Sequence, residues 1–357
     1  MPKEAPCLKI HKKDAEKTLI LTNKLGLSDK TLEIQKNNEA SLCIPLTHKP
    51  GKRELVLLKV KLPKFQLTTQ VFPEKNQQDK TLAQVLQNQL PPNLLAALPR
   101  ALDIIGDIAI VEIPSELEAH KNTVGEAILK THRNVLTVLA KASAVSGIYR
   151  LREFDFMAGE HRTSTIYKEY GCSYYVDVAK AYFSPRLSHE HDRVAALVQS
   201  GETVVDLFAG VGPFSVLIAK RHPNVKVYGV DINADAVALL EKNARLNRVE
   251  NRVYSIIGDA RKIVKEKFGG TADRVIMNLP EKSREFIDVA CNALKPTGGT
   301  IHFYCFIRLT DTIEGMQQRF TENVTKAGRK VESFSYAKHV RETAPHEYQA
   351  VLDARVC

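Results

Sequence analysis

The sequence predicts an α/β protein whose C-terminal part is a seven-stranded, doubly wound sheet of Rossmann-like build, preceded by two smaller α+β domains. Three observations carry that expectation. From residue 200 onward, short β-branched runs alternate with longer amphipathic ones, as they do when strands and covering helices alternate. A glycine-rich turn joins the first of those strands to the first helix, and polar side chains close the strands that follow. Upstream, the Gln/Asn/Lys-rich stretch Glu74–Asp79 and the pair Pro91-Pro92 read as an exposed loop or linker between folded pieces.

Taken in chain order, residues 5–72 read as a helix over Lys13–Leu25 and strands near Thr31–Gln35, Ala40–Pro45 and Glu54–Lys61. The middle segment begins with an apolar strand over Ala101–Val111. It continues with a helix near Val124–Ala144 and strands near Ile166–Tyr170 and Ser173–Asp177. The large sheet opens with a strand over Thr203–Phe208, and a helix runs from Pro213 through Arg221, its proline placed in the first turn where no N–H is missed. Then come a strand over Val225–Val230, a helix over Ala234–Leu246, a strand over Val253–Ile257, a short helix after Asp259 and a strand over Arg274–Met277. A helix over Ser283–Leu294, a strand over Thr300–Phe306, a helix over Asp311–Lys326 and strands near Val331–Ala337 and Tyr348–Ala354 complete the pattern. The domains expected are 1–75, 90–185 and 186–357.

Lys and Arg number 51 against 41 Asp and Glu, a formal charge of +10. The excess is uneven: residues 1–80 carry 16 basic and 9 acidic side chains, residues 81–185 carry 10 and 11, and residues 186–357 carry 25 and 21. A basic N-terminal unit suits a polyanionic partner, although a lysine-rich solubilising surface has the same composition. The 6 cysteines are scattered without a Cys-x-x-Cys pair or zinc-type histidine spacing, so neither a structural metal nor a disulfide framework is expected. No apolar run reaches membrane-spanning length and the N-terminus lacks a signal-peptide pattern, which points to a cytoplasmic protein without a membrane partner.

The turn Phe208-Ala209-Gly210-Val211-Gly212-Pro213 lets the backbone bend tightly and approach a ligand. A nicotinamide site would ask for Gly-x-Gly-x-x-Gly, but Ser215 stands at the third position and Asp206 leads the loop. Asp231 ends the second strand, where a carboxylate can accept from ribose hydroxyls, or form an Asx turn. Asp259 ends the third, placed to accept from an adenine amino group or to cap the next helix. Asn278-Leu279-Pro280 ends the fourth, at the crevice where chemistry occurs in such sheets, or is a plain loop. The four features at successive strand ends favour S-adenosylmethionine over a dinucleotide.

With these residues in view, the sequence resembles the archaeal and eukaryotic tRNA guanine-N1 methyltransferase family, which modifies the guanosine immediately 3′ of the anticodon. The resemblance covers nearly the whole chain. It is most specific over Val176–Leu187, Asp206–Phe214, Met277–Pro280 and Thr343–Tyr348. It implies a class I methyltransferase sheet preceded by two RNA-binding domains, the basic one contacting the outer corner of tRNA, with tRNA as partner, no metal, and a monomer. It implies S-adenosyl-L-methionine held by Arg186, Asp206, Phe208, Gly210, Gly212, Asp231, Ile232, Asp259, Ala260 and Asn278.

The same resemblance makes Glu190 the general base that removes the guanine N1 proton and Arg150 the cation that stabilises charge on O6, while Asn278 positions the base. Ser188-His189 stand where many relatives have glycines, which bears on the geometry just before Glu190. The target guanosine must be turned out of the loop stack, against Tyr182 or Phe183 unless those two are core residues. His189 and His191 flank Glu190 but lack a third metal ligand. Other readings are a class I enzyme for a different tRNA or rRNA base, a catalytically silent RNA-binding scaffold and, more distantly, a dehydrogenase. Several archaeal relatives also methylate a wyosine precursor at the same nucleotide.

Overall fold

The computed structural model of the protein describes residues 2–37, 40–62, 64–74, 81–143, 147 and 149–357. The chain forms two compact units, Met1–Val85 and Leu86–Cys357. No helix among the described residues is long and apolar enough to cross a membrane.

In the first unit, β1 (Lys3–His11) is central, paired antiparallel with β3 (Ser41–Pro45) and β4 (Gln66–Phe72), while the two-residue β2 (Gln35–Lys36) extends the sheet beyond β3. Helix α1 (Ala15–Lys24) matches the expected helix within two residues. The segment Glu54–Lys61, expected as a strand, lies within helix α2 (Lys52–Lys61). Its β-branched valines favour a strand, but the Glu54 carboxylate accepts the Gly51 N–H at 2.6 Å and closes the first turn, while Leu58 faces a core with Leu8, Ile44 and Leu62. The two longest strands of this sheet, β1 and β4, were not expected. Of the predicted linker, Glu74–Asp79 lies, apart from Glu74, outside the described residues, while Pro91-Pro92 stands at the start of a short helix.

The unit boundary falls within α3 (Leu82–Leu86), followed by α4 (Pro92–Ala96). The expected strand Ala101–Val111 is instead a hairpin of β5 (Asp103–Ile105) and β6 (Ile108–Val111). Gly106 makes the turn at φ +58°, where an added Cβ would sit 2.2 Å from the Thr165 hydroxyl. The helix expected to run to Ala144 stops early as α5 (Lys121–Thr131), and β7 (Thr137–Lys141) takes the apolar run beyond it; Ala144 lies outside the described residues. With β8 (Phe154–Gly159), not expected, these strands form a four-stranded sheet in the order β5-β6-β7-β8. The hairpin β9 (Ser164–Glu169) and β10 (Cys172–Asp177) follows, then α6 (Ser188–Leu197).

The seven-stranded sheet forms as predicted. It runs β13-β12-β11-β14-β15-β17-β16, with β11 (Thr203–Asp206), β12 (Lys226–Asp231), β13 (Val253–Ile257), β14 (Arg274–Met277) and β15 (Gly299–Arg308) parallel. The hairpin β16 (Val331–Ala344) and β17 (Glu347–Val356) adds an antiparallel edge. Helices α7 (Pro213–Arg221), α8 (Ala234–Leu246), α9 (Ala260–Ile263), α10 (Ile287–Ala293) and α11 (Ile313–Lys326) complete the unit. Val275, Ile276 and Met277 are fully buried, as expected of a strand covered on both faces. The order reverses at β11, so the crevice opens above the carboxyl ends of β11, β12 and β14.

Candidate active site

The loop after β11 is shaped from beneath. Asp206 is fully buried, and its Oδ2 accepts the Ser215 hydroxyl at 2.9 Å. Burial pushes its pKa up to about 7. Gly212 caps α7 with φ +89°, and a Cβ there would lie 2.1 Å from Leu240 Cδ1, so this position needs glycine for both backbone and space. Ala209 N–H donates to the Val230 carbonyl and Gly210 N–H to Asp231 Oδ2 at 2.8 Å, pinning the loop to the end of β12.

These strand ends surround a cavity of about 240 Å³. Phe208, Gly210, Asp231, Ile232, Asp259, Ala260 and Asn278, all expected at the cofactor, line it. Asp206 and Gly212 lie behind its wall as supports. Arg186 does not reach it: its Nε donates to Asp103 at 2.7 Å, on a neighbouring cavity of about 320 Å³. Asp231 serves structure and site together, accepting the Asn233 N–H in an Asx turn while facing the cavity; burial raises its pKa. Asp259 likewise caps α9 by accepting the Arg261 N–H at 2.8 Å. Phe208 meets Phe286 edge to face at 5.0 Å, and the Arg261 guanidinium covers Phe286 at 3.7 Å, giving one side an aromatic wall. An apolar wall beside two carboxylates at strand ends suits an adenosine with its ribose.

The second cavity shares Arg150, Tyr182, Phe183 and Ser184 with the first. Tyr182 and Phe183, weighed in the sequence as core, are half-buried and form walls of both. Arg150 has φ +55°, unusual for a residue with a Cβ, and its Nη2 pairs with Glu281 at 3.1 Å. Its guanidinium lies over the Tyr182 ring at 4.8 Å, and its Nε is buried without a partner among the described residues. The second cavity is also lined by Lys141, Arg152 and Arg341.

Glu190 is placed differently from the expectation. It sits in the first turn of α6, 4% exposed and outside the lining of either cavity. Arg193 grips it from two nitrogens, with Nη2 at 2.8 Å, and the Tyr304 hydroxyl donates to it at 2.7 Å. Arg193 also pairs with Asp353, which accepts from His302 at 2.7 Å. Arg193 and the hydrogen bond from His302 hold the Asp353 carboxyl at about 2 against the cost of its burial, while burial lowers the His302 pKa. The structure thus brings Arg150 and Asn278 to the cavity and leaves Glu190 in a buried ionic network behind it.

His191 is the α6 side chain that lines the cavity; its Nδ1 meets Glu169 at 2.7 Å, with both side chains buried. Among the described residues no group of three His, Cys, Asp or Glu could hold a metal ion. Sequence reasoning missed His191 as a wall residue, Glu281 as the partner of Arg150, and Gln349, whose Nε2 donates to Asn278 Oδ1 at 3.2 Å. Glu281 directly follows Asn278-Leu279-Pro280 and was open to notice; the other two depend on tertiary pairing that no local pattern marks.

The family model described as "TRM5/TYW2 methyltransferase domain" matches residues 165–332, and "TYW2 N-terminal domain" matches residues 82–163. The chain is 40% identical over 309 residues, 85% of itself and 90% of the relative, to tRNA (guanine(37)-N(1))-methyltransferase Trm5b of Pyrococcus abyssi. It is 34% identical over 277 residues, 77% of itself and 99% of the relative, to tRNA 4-demethylwyosine(37)-methyltransferase Taw21 of Saccharolobus solfataricus. The crystal structure of wild-type Trm5b from Pyrococcus abyssi superposes with a TM-score of 0.71 at 36% identity, over 99% of each chain.

Proposed function

Because the chain belongs to the TRM5/TYW2 methyltransferase family, with S-adenosylmethionine as its methyl donor, we propose that it methylates N1 of guanosine 37 in tRNA. The observation that carries this reading is the placing of Arg150 and Asn278 on the wall of a cavity whose other side has the acceptors and apolar surface an adenosine needs. Asp231 and Asp259 would hold the ribose and adenine of the cofactor, and Phe208, Ile232 and Ala260 would pack on it; bound there, it supplies an electrophilic methyl group.

Guanine N1 carries a proton, so its lone pair becomes available only when a base removes that proton. Glu190 is the proposed acceptor. Its carboxylate pairs with Arg193, and Glu190 adjoins His191, which faces the cavity. To act, Glu190 must exchange the Tyr304 hydroxyl for the N1 proton as the tRNA docks. Loss of that proton builds negative charge on O6, and the Arg150 guanidinium, held over Tyr182, stabilises it. The basic first unit supplies salt-dependent phosphate contacts, without reading the target base. The enzyme acts as a cytoplasmic monomer.

The test is transfer of labelled methyl to unmodified tRNA transcripts carrying guanosine or adenosine at position 37, followed by nucleoside analysis. The label is expected in N1-methylguanosine, from the guanosine transcript alone; equal labelling of both transcripts would overturn the reading. The likeness to the 4-demethylwyosine enzyme supports a second substrate at the same nucleotide, tested with tRNA carrying that base.

A further inference from the structure

The orientation of the Asn278 amide is fixed by a chain of hydrogen bonds that begins at a cation. Arg341, on β16, donates from Nε to Gln349 Oε1 at 2.9 Å. A guanidinium has no acceptor, so the Gln349 atom facing it must be the carbonyl oxygen. The other end of the same amide, Nε2, therefore faces Asn278, and it donates to Asn278 Oδ1 at 3.2 Å. Asn278 lines the cavity, and with its Oδ1 taken by Gln349 it is left with its Nδ2, a pure donor without a protein partner among the described residues.

Gln349 is 1% exposed, on a strand paired along its length on both sides, so it has little room to turn. Arg341 is anchored at its other end as well: Nη1 meets Ser184 Oγ at 3.3 Å and Nη2 meets Tyr182 Oη at 3.4 Å. One guanidinium thus ties the 182–184 segment, which walls both cavities, to the amide at the end of β14. The arrangement uses one buried and one half-buried side chain that contribute no catalytic group, and its output is the direction of one N–H.

Resting on the reading proposed above, we infer that Gln349 is a positioning residue that keeps the donor end of Asn278 toward the base and thereby selects a purine with an acceptor at its six-position. Guanine presents O6 there, with two lone pairs, one for Arg150 and one for Asn278 Nδ2. Adenine presents an amino group, which would meet that donor with another donor. Sites built around a required hydrogen bond reject an analogue that leaves their polar groups unpaired.

Gln349→Glu tests this. The carboxylate can still accept from Arg341 but presents an oxygen to Asn278, so the Asn278 amide turns and its Oδ1 enters the cavity. Transfer to the guanosine-37 transcript is expected to fall about tenfold to a hundredfold in kcat. S-adenosylmethionine affinity and Tm should stay near wild type, and the adenosine-37 transcript should become the better competitor. Gln349→Met frees the Asn278 amide to adopt either orientation and should give an intermediate loss with weakened guanosine preference. Wild-type guanosine preference in both folded variants, whatever their kcat, would overturn the inference while leaving the assigned reaction standing. Absence of transfer by the wild-type enzyme would overturn the reaction itself, and the inference with it.

Discussion

Glu190 and Tyr304 meet at 2.7 Å, carboxylate to hydroxyl, inside a network that also buries Arg193, Asp353 and His302. Burial pushes the Tyr304 hydroxyl well above its ordinary pKa, and the Glu190 carboxylate beside it acts in the same direction, so this proton stays on tyrosine and the Glu190 oxygen stays an acceptor.

Breaking that network on one side leaves an uncompensated buried charge. Arg193→Leu should destabilise the protein by about 3 to 5 kcal/mol, as removal of one partner from a buried pair does. The double variant Glu190→Leu/Arg193→Leu should lose clearly less than the sum of the singles, because the second change removes the charge orphaned by the first. Denaturant unfolding of the three variants measures the coupling; additive losses would mean that the pair does not interact in solution.

Tyr304→Phe separates structure from catalysis. It removes the hydroxyl that occupies Glu190 Oε2 and keeps the ring. If Glu190 takes the N1 proton, the variant should retain transfer, with its pH–rate profile shifted, at a stability cost of about 0.5 to 2 kcal/mol. Transfer lost in step with stability would instead make Tyr304 part of the machinery.

Asp206 makes stability fall with rising pH. Its folded pKa of about 7 lies above the unfolded value near 3.9, so between those values the folded state binds more protons than the unfolded one. Its contribution therefore declines from about pH 4 to about pH 7 and is level above, by at most about 4 kcal/mol. Asp206→Asn should remove that slope. His302, with a lowered pKa, acts in the opposite direction as pH rises toward 6.5, so the informative quantity is the difference between wild type and variant across the window. Parallel curves would place the Asp206 pKa near its unfolded value.

The two loop glycines should differ. Gly212→Ala combines a left-handed backbone with a Cβ 2.1 Å from Leu240 Cδ1, whereas a Cβ at Gly210, also left-handed, meets only the Tyr182 carbonyl at 3.8 Å. Gly212→Ala should cost about 2 to 4 kcal/mol from strain and overpacking and weaken S-adenosylmethionine binding. Gly210→Ala should cost about 1 to 2 kcal/mol. Thermal unfolding with and without cofactor reads both effects.

Much of this was legible in the sequence, because the large sheet is locally consistent: β-branched strands, a proline at the start of α7 and polar strand ends all give one answer. The α8 and β13 bounds, Ala234–Leu246 and Val253–Ile257, follow from periodicity alone. Legibility failed where tertiary partners decide. Val56 and Val60 read as strand, yet α2 is helical because Leu58 packs into a small core and Glu54 closes its first turn. At the site, residues at strand ends were found, since the fold places them. Gln349 and Tyr304 were not, because their roles come from side-chain hydrogen bonds that span 71 and 114 residues of chain.

Single-turnover methyl transfer to the guanosine-37 transcript by wild type, Glu190→Gln and Arg150→Ala, with cofactor affinity measured alongside, decides whether these two side chains carry the chemistry. The wild type should yield N1-methylguanosine, and each variant should lose about a hundredfold or more with cofactor binding retained. Wild-type rates in Glu190→Gln would contradict this, leaving Glu190 a structural member of its buried network and the N1 proton to another acceptor.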